Sequence, residues 1–320
     1  LLYPLLGGLF CLSCSDDEQD SGTKQPTTAG EVTFGVDLTG FSTRVTQDGS
    51  SWNDGDKIGT YVLDMKTLEP VTEAANVPYV CSEEGASVSF TSTTPLKVQN
   101  DGTPVKFVAY YPYNADVRNF NYPVQLAAQE RGSTACDLLY AATKEEYTYS
   151  PENEPHISLN FTHRLAKVIL KFVNMEKEPL EVSDVRIEGM QTAASFNIQT
   201  DVLTVDESSV ATINPYHNAT TGFYEAIILP SALTDSYKVS FVLDDREKEW
   251  IFTNLDIALP QFHKGYSYTF ALYIDDSGFV EMGRLENVEG GNSSAPWEDG
   301  SSEDGTAEGD KTPVSGYAFT

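Results

Sequence analysis

Positive charge is scarce in this 320-residue chain: 20 Lys and Arg stand against 48 Asp and Glu, a net charge of −28. Nucleic acid and phosphate-tracking grooves need basic surface, so no nucleic acid is expected as a partner. Histidine is rare too, with His156, His163, His217 and His263 scattered and without ligand spacing. That argues against a metal centre and, together with the lack of any G-x-S-x-G, P-loop or H-E-x-x-H motif, against an enzyme. No cofactor is expected. Beyond residue 14 only Cys81 and Cys136 remain, which leaves open one disulfide or two separately buried thiols. No apolar run reaches the eighteen or so residues of a membrane helix. Helical periodicity is lacking as well, and the one expected turn or two of helix is at residues 137–144.

At the N-terminal end the apolar run Leu5-Leu6-Gly7-Gly8-Leu9-Phe10 leads through Leu12-Ser13 to Cys14 and then to Ser15-Asp16-Asp17. It is too short to span a bilayer. A short apolar segment closed by a small residue and a cysteine resembles a bacterial lipoprotein signal (residues 1–14), although Cys11 stands where a leucine is usual. The resemblance implies lipidation of Cys14 and attachment to the outer membrane through that lipid. The acids that follow resemble the surface-export signal of Bacteroidetes lipoproteins, which implies a surface-exposed location. Residues 15–30 are almost wholly polar and read as an acidic linker.

What is abundant is strand pattern. Val32-Thr33-Phe34-Gly35-Val36, Ala86-Ser87-Val88-Ser89-Phe90 and Ile157-Ser158-Leu159-Asn160-Phe161 alternate with period two, and Asn, Asp, Gly and Pro punctuate them. Residues 57–63, 105–111, 164–173, 182–187, 224–229, 237–243, 249–252 and 266–274 read as further strands. Two sets of short strands at this spacing point to an all-β chain of two antiparallel β-sandwich domains in tandem, at 31–155 and 156–285, with the join near Pro155. Residues 286–320 form an acidic Gly/Ser tail.

Chemistry is thin along the whole length. Asp244-Asp245 sit in a turn and would point apart on a strand, unlike a glycosidase pair. The acid-Gly pairs of the tail lack the ligand order of a calcium loop. Trp52 and the cluster Tyr110-Tyr111-Pro112-Tyr113 are the candidates for a sugar-stacking platform, against the alternative of core aromatics.

Four stretches in order sharpen the picture: Ser51-Trp52-Asn53-Asp54-Gly55-Asp56-Lys57-Ile58-Gly59, Phe107-Val108-Ala109-Tyr110-Tyr111-Pro112, Asp137-Leu138-Leu139-Tyr140-Ala141, and Leu159-Asn160-Phe161-Thr162-His163-Arg164-Leu165-Ala166-Lys167-Val168. Together they resemble the fimbrillin-like proteins of Bacteroidales, which are surface pilins and pilus accessory subunits. The resemblance implies two transthyretin-like sandwiches, a lipoprotein precursor, other fimbrial subunits as partners, and a role in adhesion. It also implies proteolytic processing after an arginine, matched here by Arg44. Loss of the first strand would open a groove for a strand from another subunit, and residues 313–319 are the candidate donor. Without cutting, residues 31–43 stay in the sheet and the protein is a capped anchor or tip component. The alternative function is a monomeric glycan-binding surface lipoprotein, with host or bacterial surface glycans as partners.

Overall fold

The computed structural model describes residues 29–37, 51–72, 75–85, 87–232, 237–243, 248–253, 261–274, 280–284 and 298–299. Alternating segments become strands throughout, and no α-helix occurs among these residues. The chain starts with β1 (Ala29–Glu31), β2 (Thr33–Asp37), β3 (Lys57–Asp64), β4 (Val77–Cys81), β5 (Ser87–Thr91) and β6 (Lys97–Gln99). There follow β7 (Val105–Tyr111), β8 (Asn121–Gln125), β9 (Leu139–Ala142), β10 (His156–Leu159) and β11 (Thr162–His163). Eight of these form one sheet in the order β10-β2-β5-β4-β3-β7-β9-β11, and β1 pairs with β6.

Strands β10 and β11 stand at opposite ends of that order, yet only Asn160 and Phe161 separate them in the chain. The sheet therefore folds back until its edges approach, and its two halves face each other across a core. Phe34, Trp52, Tyr79, Phe90, Phe107 and Phe161 fill that core and are all fully buried. The outer face of β3, β7 and β9 is buried as well: Tyr61, Leu63, Val108, Tyr110 and Tyr140 join Phe196, Ile198, Ile227 and Leu229 in a second core. Burial on both faces explains why residues 105–111 read as a nearly continuous apolar run.

The second half comprises β12 (Ala166–Asn174), β13 (Val182–Gln191), β14 (Ala193–Asn197), β15 (Val202–Val205), β16 (Val210–Ile213), β17 (Tyr216–Asn218) and β18 (Phe223–Ile228). It continues with β19 (Ser231–Ala232), β20 (Lys238–Leu243), β21 (Lys248–Thr253), β22 (Gln261–Phe262), β23 (Tyr266–Ile274), β24 (Val280–Arg284) and β25 (Glu298–Asp299). One sheet runs β17-β18-β12-β23-β24, with β25 also beside β23; the other runs β16-β13-β20-β21. Leu170, Phe172, Ile187, Phe241, Phe270 and Leu272 pack between them. Strands β13–β14 and β15–β16 make one long hairpin, bent where the Thr192 hydroxyl donates to Ser209 O at 2.8 Å. Beyond the bend the hairpin leaves the second body, and β14 pairs with β8 of the first, Ala193 opposite Gln125 through Asn197 opposite Asn121.

Two sequence expectations change here. Residues 156–163 belong to the first sheet, because β10 pairs with β2 and β11 with β9, so the chain crosses to the second body beyond His163 rather than at Pro155. The turn of helix expected over 137–144 is strand β9, preceded by a 3-10 turn at Ser133–Cys136. Leu-Leu-Tyr-Ala-Ala has no β-branched residue and no alternation; burial on both faces of the sheet overrides its helical propensity.

Candidate functional site

Strand β2 lies inside the first sheet rather than at its edge. It pairs antiparallel with β5, Phe34 opposite Phe90 and Val36 opposite Val88, and parallel with β10, Thr33 opposite His156 and Leu159 opposite Val36. Its inward residues Phe34 and Val36, with Val32 just before it, are at most 2% exposed, each contributing about 1.5–3 kcal/mol by burial. Phe34 meets Tyr79 and Phe107 edge-on, with ring centroids 4.8 and 5.8 Å away. Burial pushes the Tyr79 phenol up to about 12, so it stays protonated and donates to Val32 O at 3.0 Å while accepting from Leu96 N at 2.8 Å.

The seat is shaped for this segment. A Cβ on Gly30 would stand 2.4 Å from the Tyr149 ring, and one on Gly35 would stand 2.7 Å from His156 Nε2. The Thr33 hydroxyl lies 3.0 Å from His156 Nδ1, and Thr33 N donates to Pro155 O at 2.9 Å. An ordered slot is thus bounded by β5 and β10 and held by backbone bonding plus alternate apolar side chains. That is the arrangement by which one extended segment can replace another.

Cys14 and Arg44 lie outside the described residues, as do Asp244-Asp245, residues 313–319 and all of the tail except Glu298–Asp299. Arg44 falls in the stretch 38–50 that connects β2 to Trp52. Of the two aromatic platform candidates, Trp52 and the Tyr110 of the tyrosine cluster are in the interior. Trp52 is fully buried, with Phe90, Tyr111 and Phe161 edge-on at 5.0–5.4 Å, and Tyr110 is fully buried in the second core. Trp52 and Tyr110 pack into the cores and offer no stacking face to a sugar, whereas Tyr111 and Tyr113 are half-buried.

Several motif residues act as joints. In the turn after Trp52, Asn53 N donates to Asp56 Oδ2 at 2.7 Å and Gly55 takes a φ of 87°. Burial raises the Asp56 carboxyl above its ordinary value, partly offset by that bond and by the Tyr111 hydroxyl. Asp137 and His163, from different stretches of sequence, meet at 2.8 Å between Oδ1 and Nδ1. Arg164 lies over the Tyr140 ring at 4.8 Å and forms a two-pronged pair with Asp201 at the tip of the long hairpin. Gln129, 1% exposed, donates to Leu126 O and Ile227 O and accepts from Ile227 N, which clasps the two bodies. Nothing in the local sequence around Gln129 signals this; the partner is 98 residues away.

Cys81 is buried in the first core and Cys136 is half-buried beside the second; both are free thiols, so the two cysteines do not meet. Burial pushes both thiols above their ordinary value. Among the described residues no three His, Cys, Asp or Glu side chains gather as metal ligands, and no helix is long and apolar enough to cross a membrane.

A family model described as fimbrillin-like matches residues 43–297. Among solved structures, a candidate cell adhesion protein from Bacteroides uniformis superposes with a TM-score of 0.65 at 22% identity, over 80% of this chain and 96% of that one. A second candidate cell adhesion protein, from Bacteroides ovatus, gives 0.60 at 16% identity, over 82% and 97%. At these identities the likeness is one of fold. No curated protein matches the sequence.

Proposed function

The chain belongs to the fimbrillin-like family, and from that premise we propose that it is a fimbrial structural or accessory subunit that supports adhesion at the cell surface. In this reading the precursor is exported as a lipoprotein, with Cys14 lipidated and holding it to the outer membrane. A trypsin-like protease then cuts after Arg44, β1 and β2 leave, and a strand from another subunit enters the slot between β5 and β10. Residues 313–319, Pro-Val-Ser-Gly-Tyr-Ala-Phe, are the candidate donor.

The observation that carries this is the placement of β2. It is an interior strand that reaches the remainder of the sheet only through residues 38–50, where Arg44 lies. Its parallel pairing with β10 has no hairpin constraint, so the slot recognises backbone and alternate apolar side chains instead of chain connectivity. Removing it would expose Phe90, Tyr79 and Phe107 along an open sheet edge, a surface that strand addition relieves.

Unlipidated precursor treated with a trypsin-like protease tests the reading when N-terminus and mass are followed together. The expected result is a new N-terminus after Arg44 and conversion to large species that resist mild denaturant. Arg44→Ala protein that assembles like wild type would overturn the processing step. A cut protein that stays monomeric would overturn strand exchange.

A further inference from the structure

The two sheets of the second body differ on their outer faces. An outer face left to water carries polar side chains, and β13 does so with Asp184, Arg186 and Glu188. The sheet β17-β18-β12-β23-β24 does not. Along β12 the residues Val168, Leu170 and Phe172 face the core, so Ile169, Lys171 and Val173 face outward. Register brings Ala271 beside Lys171 and Tyr273 beside Val173, and the Phe223 ring lies 4.1 Å from Lys171 Nζ. Ile169, Val173, Phe223 and Tyr273 are half-buried, and Ala271 is fully buried.

Lys171 is the charge within this apolar face. Among the described residues it pairs with no carboxylate. Burial holds its ammonium below the ordinary lysine value, a cost that an anion laid over it would remove. The course of the chain supplies the occupant. β25 runs parallel to β23 on the side away from β12, Glu298 opposite Tyr266 and Asp299 opposite Ser267. From Phe270 onward the same edge is taken by β24, and the inner face is filled by Phe270 and Leu272. The chain that continues from Asp299 thus heads along β23 toward Ala271 and Tyr273, with the outer face open to it. The path from β25 to Lys171 is about 15–20 Å, and residues 300–320 fully extended reach about 70 Å. That segment carries Glu303, Asp304, Glu308 and Asp310, then Tyr317 and Phe319. It offers acids to an uncompensated ammonium and rings to an apolar face.

We propose that residues 300–320 dock on this outer face of their own chain, with the acids beside Lys171 and the two rings over Ile169, Val173, Phe223 and Tyr273. The docking itself does not depend on strand exchange. One consequence does rest on that reading: residues 313–319, the candidate donor, are kept on their own subunit until a neighbour's slot competes for them.

The test is carbodiimide cross-linking of the unlipidated full-length chain, without protease, mapped by mass spectrometry. An equal mixture of isotopically light and heavy chains separates links within a chain from links between chains. Lys97 and Glu31, exposed and 3.2 Å apart, are the built-in control. The expected result is a link from Lys171 to Glu303, Asp304, Glu308 or Asp310 within one label. Acetylation of Lys171 should also be several-fold faster in protein carrying Tyr317→Ser and Phe319→Ser than in wild type, with Lys97 unchanged. Lys171 links that mix the labels would assign the face to a second copy and overturn the docking. So would a linked control with no tail link at Lys171, or equal acetylation of Lys171 in the two proteins. None of these readouts needs assembly, so a docked tail in a chain that never polymerises upholds this inference and counts against strand exchange alone.

Discussion

Truncating Phe34 separates two states that otherwise share almost all their contacts. In the uncut chain this ring is fully buried between Tyr79 and Phe107. Phe34→Ala should therefore cost about 3–5 kcal/mol, the loss typical of a buried phenylalanine with its cavity. With a urea slope of about 2 kcal/mol/M, the unfolding midpoint of the first body falls by about 2 M. Material cut after Arg44 and assembled has lost β2, so the same substitution should leave its midpoint unchanged. Four urea titrations followed by far-UV circular dichroism, on uncut and assembled forms of both sequences, measure this difference of differences. Equal destabilisation of the two forms would refute strand replacement, because β2 would still be in its sheet. An unchanged precursor would refute the packing of the slot itself.

Gly59→Ala places a Cβ 2.2 Å from the ring of buried Tyr110, whose hydroxyl is fixed to Asn76 Oδ1 at 2.7 Å; a loss of about 1–3 kcal/mol is expected, and an unchanged thermal midpoint would show that the ring can move. Gln129→Leu leaves Ile227 N–H and C=O without their clasp, at about 1–3 kcal/mol for each orphaned group. Calorimetry should show the two bodies unfolding in separate steps in that variant, and a single unshifted transition counts against the clasp. For Asp56 the folded carboxyl is raised by burial, so its favourable contribution is fully present below the unfolded value and is lost as pH rises through the folded one. Asp56→Asn should thus gain on wild type as pH increases from 4 to 8, and a gap that narrows over that range contradicts the burial argument. In a chain starting at Ser15, thiol titration should find Cys136 reacting slowly and Cys81 protected until unfolding, since one is half-buried and the other buried; equal rates in the folded chain would place both at the surface.

Strand existence was legible wherever one face meets a core and the other does not. β2, β5 and β10 alternate in sequence and alternate in burial, and their boundaries agree with the pattern to within a residue or two. Legibility failed where that asymmetry is absent. β9 is buried on both faces and reads as a helix former. Strand β4 carries Pro78 in its middle, which argues against a strand in sequence, and β14, Ala-Ala-Ser-Phe-Asn, has a partner in β8 that only tertiary contact sets. The join was misplaced because Pro155 ends a loop, not a domain: the chain returns to the first sheet for two more strands. Trp52 and Tyr110 illustrate the same ambiguity for function, since an aromatic on a strand serves a core or a ligand with one and the same pattern.

The residues that make the family recognisable are mostly those that hold the architecture. Trp52, Asp56, Gly59, Tyr110, Asp137, Tyr140, His163 and Arg164 fill a core, fix a turn or brace the junction, and each needs its own side chain, or for Gly59 the lack of one, to do so. Strand exchange makes a different demand. It needs backbone donors and acceptors plus apolar side chains at alternate positions, a requirement that many sequences meet. Under the proposed strand exchange, a short segment such as Val32-Thr33-Phe34-Gly35-Val36 would carry an assembly role with almost no sequence signature beyond its alternation. What distinguishes it is position in the sheet: interior, parallel to β10, and joined to the body through the one stretch that holds Arg44. The slot should accept any strand that offers small residues opposite Tyr149 and His156 and apolar residues opposite Tyr79 and Phe90. By that rule Gly316 of the candidate donor must fall at one of the two tight positions, so Gly316→Val should abolish assembly of cut subunits while leaving the uncut precursor's stability within about 0.5 kcal/mol of wild type.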